Sequence, residues 1–395
     1  MIDIQIKALC CGCTACANIC PQSCITMQPD FEGFLYPQVD EKDCIDCGLC
    51  KKVCPSLSGS DKNPIQATYA VRHTVNDVLD NSTSGGAFTA LAQDALAQGG
   101  VVFGVGFSDD FRVIHMEVQG NPSALSIFRG SKYVQSTLGD TFQRVSRHLA
   151  DDCFVLFSGT PCQVSGLKNY IGHDNPKLLT VEVICRGTPS PLLWDTYLNY
   201  QSDRYRSKPT AISFRKKTYG YHSGTMEILF ENGTRYTGSA RIDYMLKSYY
   251  SGIASRPSCY ACPCKGVARA ADISIFDCWH ADSLVPNLQD DNRGYTNIFL
   301  NTAKSLAAFK SASSHLEHHL IDTQKAIDMD GVMICNFPPR HSERGLYYEN
   351  LCSAGIKRSV ATFLPVGLID VLIERSKAAL YRLGLLQTLK KLKKE

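Results

Sequence analysis

The sequence predicts an α+β protein with an α/β-like body, preceded by a small cysteine-rich segment and followed by a helical tail. Three observations lead there. Ten of the 19 cysteines fall within the first 54 residues, in a repeat with a period of 34. From about residue 65 to residue 300, strand-like and helix-like runs alternate. Beyond that, apolar residues recur at helical spacing. At 395 residues, 44% hydrophobic and 20% charged, the chain has the size and composition of a globular protein of more than one domain. Its net charge of +3 is carried by the last nine residues alone, which hold four Lys and one Glu. The neutral remainder argues against a nucleic-acid binder with a broad basic surface. No uncharged apolar run reaches transmembrane length. The start, MIDIQIKALC, lacks the basic, apolar and small-residue sections of a signal peptide. The expected location is therefore the reducing cytoplasm, where clustered cysteines are metal ligands rather than disulfides.

The first copy of the repeat is Cys10-x2-Cys13-x2-Cys16-x3-Cys20-Pro21, and the second is Cys44-x2-Cys47-x2-Cys50-x3-Cys54-Pro55. Three thiolates on a tight loop cap three corners of an iron–sulfur cube, and the fourth cysteine reaches the neighbouring cube. One [4Fe-4S] cluster is thus assigned to Cys10, Cys13, Cys16 and Cys54, the other to Cys44, Cys47, Cys50 and Cys20. Structural zinc also uses C-x2-C pairs, but needs only four ligands and gives no reason for two complete runs ending in Cys-Pro. Residues 1–60 resemble a two-cluster bacterial ferredoxin along their whole length. They carry seven Asp/Glu against four Lys, a mild preference for a basic docking partner.

The polar, Gly/Pro-punctuated stretch 56–64 reads as a boundary. After it come a helix of small apolar residues from Gly85 to Gln98, a strand from Val101 to Phe107 and a helix from Leu138 to Ala150. Buried strands follow at Cys153–Phe157 and Leu178–Ile184, and Pro191 opens a helix at a favoured first-turn position. Ala211–Arg215, Thr225–Phe230 and Thr234–Thr237 read as an antiparallel set turning at Glu231-Asn232-Gly233. Asp272–Phe276 and Thr296–Leu300 add strands, and Glu317-His318-His319 a surface strand. The expected domains are 1–60, 65–150, 151–330 and a helical tail, 331–395.

No G-x-G-x-x-G, Walker A or H-E-x-x-H motif is present, and Gly159-Thr-Pro-Cys162 is not the elbow of a serine hydrolase. A second cysteine set sits where loops follow strands: Cys162, Cys185, and the C-x2-C pair Cys259 and Cys262. Two strand ends and one C-x2-C can converge on one metal site; equally, Cys162 and Cys185 read as small buried thiols. Ser82-Thr83-Ser84-Gly85-Gly86 precedes a helix, which suits either an anion site or an ordinary cap and turn.

Residues 66–300 resemble the coenzyme F420 hydrogenase/dehydrogenase beta-subunit family, itself similar to plant 7-hydroxymethyl chlorophyll reductase. The matching stretches are Ser82–Phe88, Gly99–Gly104, Arg129–Gln135, Val155–Gln163, Cys185–Pro191, Arg256–Cys262, and Asp272-Ile-Ser-Ile leading to Asp277 and Trp279. The resemblance implies an FAD-binding, two-subdomain body with a third [4Fe-4S] cluster on Cys162, Cys185, Cys259 and Cys262. It implies flavin contacts from Ser82, Thr83, Ser84, Gly85 and Gly86, from Gly130, Ser131, Lys132, Tyr133 and Gln135, and from Thr160. Use of coenzyme F420 itself would come by the same inheritance. The chain departs from the family pattern at Cys185-Arg186-Gly187, where Cys-His-Gly is usual. It departs again at Phe276-Asp277-Cys278-Trp279-His280, where Gly-Asp-Phe-Trp-Gly is usual.

The expected function is an iron–sulfur flavoprotein oxidoreductase, exchanging electrons with a ferredoxin- or F420-type donor and acting on a small organic or sugar-linked substrate. The alternatives are an electron-transfer subunit feeding a separate catalytic protein, and a zinc-bound interaction protein. No catalytic acid–base residue is assigned; His115, His173, His222 and His280 read as structural or exposed. Cys11, Cys24, Cys153, Cys264, Cys278, Cys335 and Cys352 read as packing thiols, with Cys264 an optional extra ligand. The tail ending in Leu389-Lys-Lys-Leu-Lys-Lys394 reads as a solvated helix end rather than a contact for an anionic membrane surface.

Overall fold

The computed structural model describes residues 1–383 and residue 385; the basic run 389–394 lies outside them. The chain begins with α1 (Ala15–Ile19), the hairpin of β1 (Ile25–Pro29) and β2 (Leu35–Val39), and two short helices, α2 (Leu49–Lys52) and α3 (Pro55–Ser58). Next come β3 (Ala67–His73), α4 (Asn76–Asn81), α5 (Ala87–Ala97), β4 (Val101–Phe107) and β5 (Val113–Gln119). They are followed by α6 (Thr141–Ala150), β6 (Val155–Gly159), α7 (Pro161–Ile171) and β7 (Leu178–Val183). The chain continues through α8 (Pro191–Tyr205), β8 (Pro209–Lys216), β9 (Thr225–Phe230), β10 (Arg235–Gly238) and α9 (Tyr244–Ser251). It then forms β11 (Ile273–Cys278), α10 (Ala281–Leu284), β12 (Tyr295–Leu300), α11 (Ala303–Ala312), β13 (Leu316–Leu320), α12 (Thr323–Asp330) and α13 (Val332–Cys335). The last helices are α14 (Arg344–Phe363), which bends at Gly355, and α15 (Leu368–Arg382).

Two compact units result. One joins Met1–Pro191 to Ser255–Pro338; the other joins Leu192–Ala254 to the described residues from Pro339 onward. The stretch 56–64, expected as a boundary, lies inside the first unit. So does the expected division at 150/151, because β4 and β6 pair across it in parallel, Val101 opposite Val155. The expected 151–330 subdomain is itself shared between the two units.

The first unit is built on an eight-stranded mixed sheet, in the order β13-β3-β12-β11-β7-β6-β4-β5. β6, β7 and β11 run parallel to β4, and β3 shares their direction because β12 is antiparallel to both β3 and β11. The central strands are buried on both faces, as strands covered twice must be. Alternation sorts their side chains. Val102, Leu156 and Leu179 pack beneath α5 and α11, with Leu91 and Phe309. Val101, Phe103, Val155, Phe157 and Leu178 face α6 and α7, with Phe142, Val164 and Leu167. Cys11, Cys13, Ala15 and Val53 belong to that second core, so the cysteine-rich segment packs on the α6–α7 layer. β13, holding Glu317–His319 where a surface strand was expected, lies at the edge of this sheet.

The topology brings four of the candidate loops together. β3, β4, β6, β7 and β11 all end on the same edge of the sheet. The loops Ser82–Gly86, Thr160–Cys162, Cys185–Gly187 and Asp277–His280 follow β3, β6, β7 and β11 there. In open α/β sheets this carboxyl edge is where ligands bind.

The second unit contains the antiparallel trio β10-β9-β8 foreseen from the sequence, with its turn at Glu231–Gly233 and Gly233 at φ 78°. Trp194 stacks on Phe214 with ring centroids 4.8 Å apart, and the buried Asp243 caps α9 while accepting hydrogen bonds from Tyr197 and Tyr236.

Candidate iron–sulfur and flavin sites

The 34-residue repeat extends to the backbone. Gly12 and its counterpart Asp46 have φ of 70° and 48°; Thr14 and its counterpart Gly48 have φ of 61° and 76°. Left-handed residues on either side of Cys13 and of Cys47 wrap each loop tightly before α1 and α2 begin at equivalent positions. Cys20 and Cys54 share an extended conformation, ψ 114° and 115°, ahead of their prolines.

Cys20, Cys44, Cys47 and Cys50 line a single open pocket. Cys24, expected as a packing thiol, lines it too, with its Sγ 3.3 Å from that of Cys20. In the other set, burial pushes the Cys16 thiol up to about 12, reinforced by nearby Cys10, Cys54 and Cys50. Cys54 is likewise raised by burial and by Cys10 and Cys50. Cys13 neighbours Cys16 and also Cys11 and Cys162. Both ferredoxin sets read from spacing therefore gather as neighbours.

The second-half cysteines gather as well. Cys162 sits in the first turn of α7, Cys185 just past β7, and Cys259 and Cys262 in and after the 3-10 turn Pro257–Ala261. Burial raises the Cys185 thiol, with Cys259, Cys162 and Cys262 adding to it and Lys265 opposing. Burial pushes Cys259 up to about 11. Cys262 is lowered to about 6 by hydrogen bonding from Cys264, aided by Lys265 and Arg269. Three desolvated thiols and one favoured thiolate with cations alongside are a suitable donor set, since binding a metal cluster discharges the thiol protons. Lys265 Nζ donates to the Cys185 carbonyl at 2.7 Å, and buried Arg269 pairs with buried Glu182 while donating to the Cys264 and Gly266 carbonyls. Among the described residues, no group of three or more His, Cys, Asp or Glu is placed to hold a single metal ion.

Cys11 joins the two regions: it shares a buried core with Cys13, and Cys162 packs against that core. Hydrogen bonding to Cys13, then burial, raises the Cys11 thiol; hydrogen bonding to Cys11, then burial, raises that of Cys162. The loop that carries Cys13 packs closely on α7, the helix that carries Cys162. A Cβ at Gly166 in α7 would lie 2.9 Å from Cys13 Sγ, so only glycine admits that approach. Cys264 also neighbours Cys262, Cys162 and Cys11. By contrast, Cys335 and Cys352 are exposed rather than packed, one at the end of α13 and the other on α14.

The residues expected at a flavin divide in two. Thr83 Oγ1 accepts from the Ser131 backbone at 2.7 Å, which brings the Ser82–Gly86 and Gly130–Tyr133 loops together. Ser84 Oγ lies 2.8 Å from Thr296 Oγ1, which also accepts from the Gly85 N–H. Gly85 packs against β3 and β12 with no room for a Cβ, and the Ser82 hydroxyl donates to the Val78 carbonyl. Lys132 Nζ turns inward to the carbonyls of Ile127, Arg129 and Gly130. Arg129 borders the same loops: its Nη1 pairs with Asp77 at 3.1 Å, while its buried Nε has no hydrogen-bond partner among the described residues. Gln135 and Thr160 stand apart from this group. Gln135 donates to the Cys11 carbonyl and accepts from Arg256, while the Thr160 N–H donates to Gln163 as α7 begins, its hydroxyl 3.3 Å from Cys162 Sγ. His115 is buried against Phe157 and structural, whereas His173, His222 and His280 are exposed. His280 Nδ1 is 2.7 Å from buried Asp330.

Residues 154–326 match the family model for the carboxyl-terminal part of the beta subunit of coenzyme F420 hydrogenase/dehydrogenase. Residues 9–57 match the 4Fe-4S dicluster domain. NADH-quinone oxidoreductase subunit I of Pelobacter propionicus is 37% identical over 57 residues, 12% of this chain and 31% of that protein. The chain thus spans less than a third of that relative's length. A chain from the xenon-derivatised F420-reducing [NiFe] hydrogenase complex of Methanosarcina barkeri superposes with a TM-score of 0.47 at 18% identity, covering 76% of this chain and 92% of that one.

Proposed function

We propose that this chain, which joins a 4Fe-4S dicluster segment to an F420 hydrogenase/dehydrogenase beta-subunit region, is an FAD- and [4Fe-4S]-dependent oxidoreductase of a small organic substrate. Its electrons would be exchanged with a ferredoxin- or F420-type partner. The observation that carries this reading is the packing of Cys13, Cys11 and Cys162 in one core, which sets the first ferredoxin ligand set beside the third cysteine set. When bound, iron–sulfur clusters supply one-electron transfer and a flavin joins it to two-electron chemistry.

The chain's own residues have distinct parts in this reading. Cys10, Cys13, Cys16 and Cys54 hold the inner cluster. Cys20, Cys44, Cys47 and Cys50 hold the outer one, with Cys47 exposed towards a partner. Cys162, Cys185, Cys259 and Cys262 hold the third at the carboxyl edge of the sheet. On the same edge, the Ser82–Gly86 and Gly130–Tyr133 loops and Arg129 form the flavin site.

The test is bleaching of bound flavin by a low-potential one-electron donor under anaerobic conditions. Wild type should bleach, and a Cys162→Ser/Cys262→Ser chain that keeps its ferredoxin cysteines should bleach at least tenfold more slowly. Equal rates, or a chain that holds no flavin, would overturn the reading. Turnover of small carbonyl or unsaturated substrates by the isolated chain then separates a self-sufficient enzyme from a subunit that feeds another protein.

A further inference from the structure

We propose that Arg256 sets the reduction potential of the cluster held by Cys10, Cys13, Cys16 and Cys54; this rests on the cluster assignment above. Arg256 belongs to the loop of the third cysteine set: its N–H donates to the Thr188 carbonyl, and its own carbonyl accepts from the Cys259 N–H. Its side chain nevertheless ends inside the ferredoxin segment. Nε donates to the Cys10 carbonyl at 2.7 Å, Nη2 to the Leu35 carbonyl at 2.8 Å and to Cys10 Sγ at 3.5 Å, and Nη1 to Gln135 Oε1 at 2.9 Å. The guanidinium lies over the Tyr36 ring at 4.2 Å from its centroid, with Phe34 behind.

Two features single it out. It is 1% exposed, yet no Asp or Glu among the described residues forms an ion pair with it. A buried cation without a counter-charge is costly, and the anion-forming group it donates to is the sulfur of Cys10. The loop is also shaped to admit it: a Cβ at Gly12 would lie 2.8 Å from Nη1. A bound cluster gains one negative charge on reduction. A guanidinium and an N–H···S bond at its ligand favour the reduced form, and so raise the potential. Burial keeps this effect from being screened.

The experiment is an EPR-monitored redox titration of the full chain, reconstituted anaerobically, in wild type, Arg256→Gln, Arg256→Lys and the exposed control Arg112→Gln. At a fixed ambient potential, Arg256→Gln should lower the reduced-to-oxidised ratio of one cluster at least tenfold, a downward shift of about 59 mV for a one-electron couple. The other clusters and the control should not move, and Arg256→Lys should recover most of the loss. A glutamine variant with full iron and unmoved potentials overturns the proposal and leaves the cluster assignment standing. A wild-type chain that binds no iron overturns both. Should the glutamine variant lose its iron, pulsed EPR on wild type labelled with nitrogen-15 guanidino-arginine decides. Side-chain nitrogen coupling to one reduced cluster supports the proposal, and its absence overturns it.

Discussion

Gly166 shows how much of the site depends on single residues. Glycine inside a helix ordinarily costs about 1 kcal/mol against alanine, so Gly166→Ala should stabilise α7 if it lay on an open surface. Here the added methyl meets Cys13 Sγ at 2.9 Å and its Cβ at 3.0 Å. The predicted outcome is the reverse: a lowered melting temperature and loss of about four irons per chain, the content of one cubane cluster, by metal analysis. A stabilised chain with full iron would show that the Cys13 loop and α7 do not meet this way. His115 supplies a second test. Burial holds its folded pKa down to about 4, below the ordinary 6.5. The folded chain therefore keeps a neutral imidazole that the unfolded chain would protonate. The associated stability is complete above pH 6.5 and falls by about 1.4 kcal/mol per pH unit on acidification towards pH 4. His115→Phe, which preserves the stack on Phe157, should flatten that part of a denaturation-versus-pH curve. The gathering of the cysteines in the amino-terminal repeat was legible because their spacing fixes the tight loops that bring them together. The contacts of Cys11 with Cys162 and of Arg256 with Cys10 were not, because each joins residues distant in sequence, and no spacing encodes that.

At the scale of elements, patterning carried most of the reading. β4, β6, β7, β11, β12 and the β8–β9–β10 set were legible as apolar runs bounded by turns, and α5, α6 and α8 as periodic stretches with Gly or Pro at their ends. The hairpin β1–β2, and β3 and β5, went unread. β5 carries His115 and Glu117 among its apolar residues, and β1 and β2 are short and little buried, so none of the three declares itself as a buried strand. The core that supports the site makes a firm prediction. Phe157 is fully buried between Phe142 and His115 in β6, the strand that leads to Cys162. Phe157→Ala should cost about 3–5 kcal/mol by chemical denaturation. The Glu182–Arg269 pair is similarly placed, 1% and 2% exposed, with Ser274 also donating to Glu182. Removing one partner, as in Glu182→Ala, should cost about 3–5 kcal/mol by leaving a buried charge unpaired. It should also loosen the Cys264–Gly266 loop, read as faster thiol labelling of Cys264 in the metal-free chain.

At the scale of the whole molecule, the division into units was the least legible feature. Along the chain, a segment of the second unit interrupts the first between Pro191 and Ser255, and β11 pairs with β7 only after that excursion. Local propensity identifies strands but not the sheet each joins, and so an expected boundary at 150/151 falls between paired strands. The carboxyl edge of the sheet is likewise a product of topology: it gathers Ser82, Cys162, Cys185 and His280 from loops far apart in sequence. Among the described residues no helix is long and apolar enough to cross a membrane. The most direct test is the iron, sulfide, zinc and flavin content of the anaerobically purified chain. Three cubane clusters and one flavin predict about twelve irons, matching sulfide and one FAD per chain. Zinc in place of iron would contradict the redox reading outright, and about eight irons without flavin would leave only the amino-terminal segment assigned.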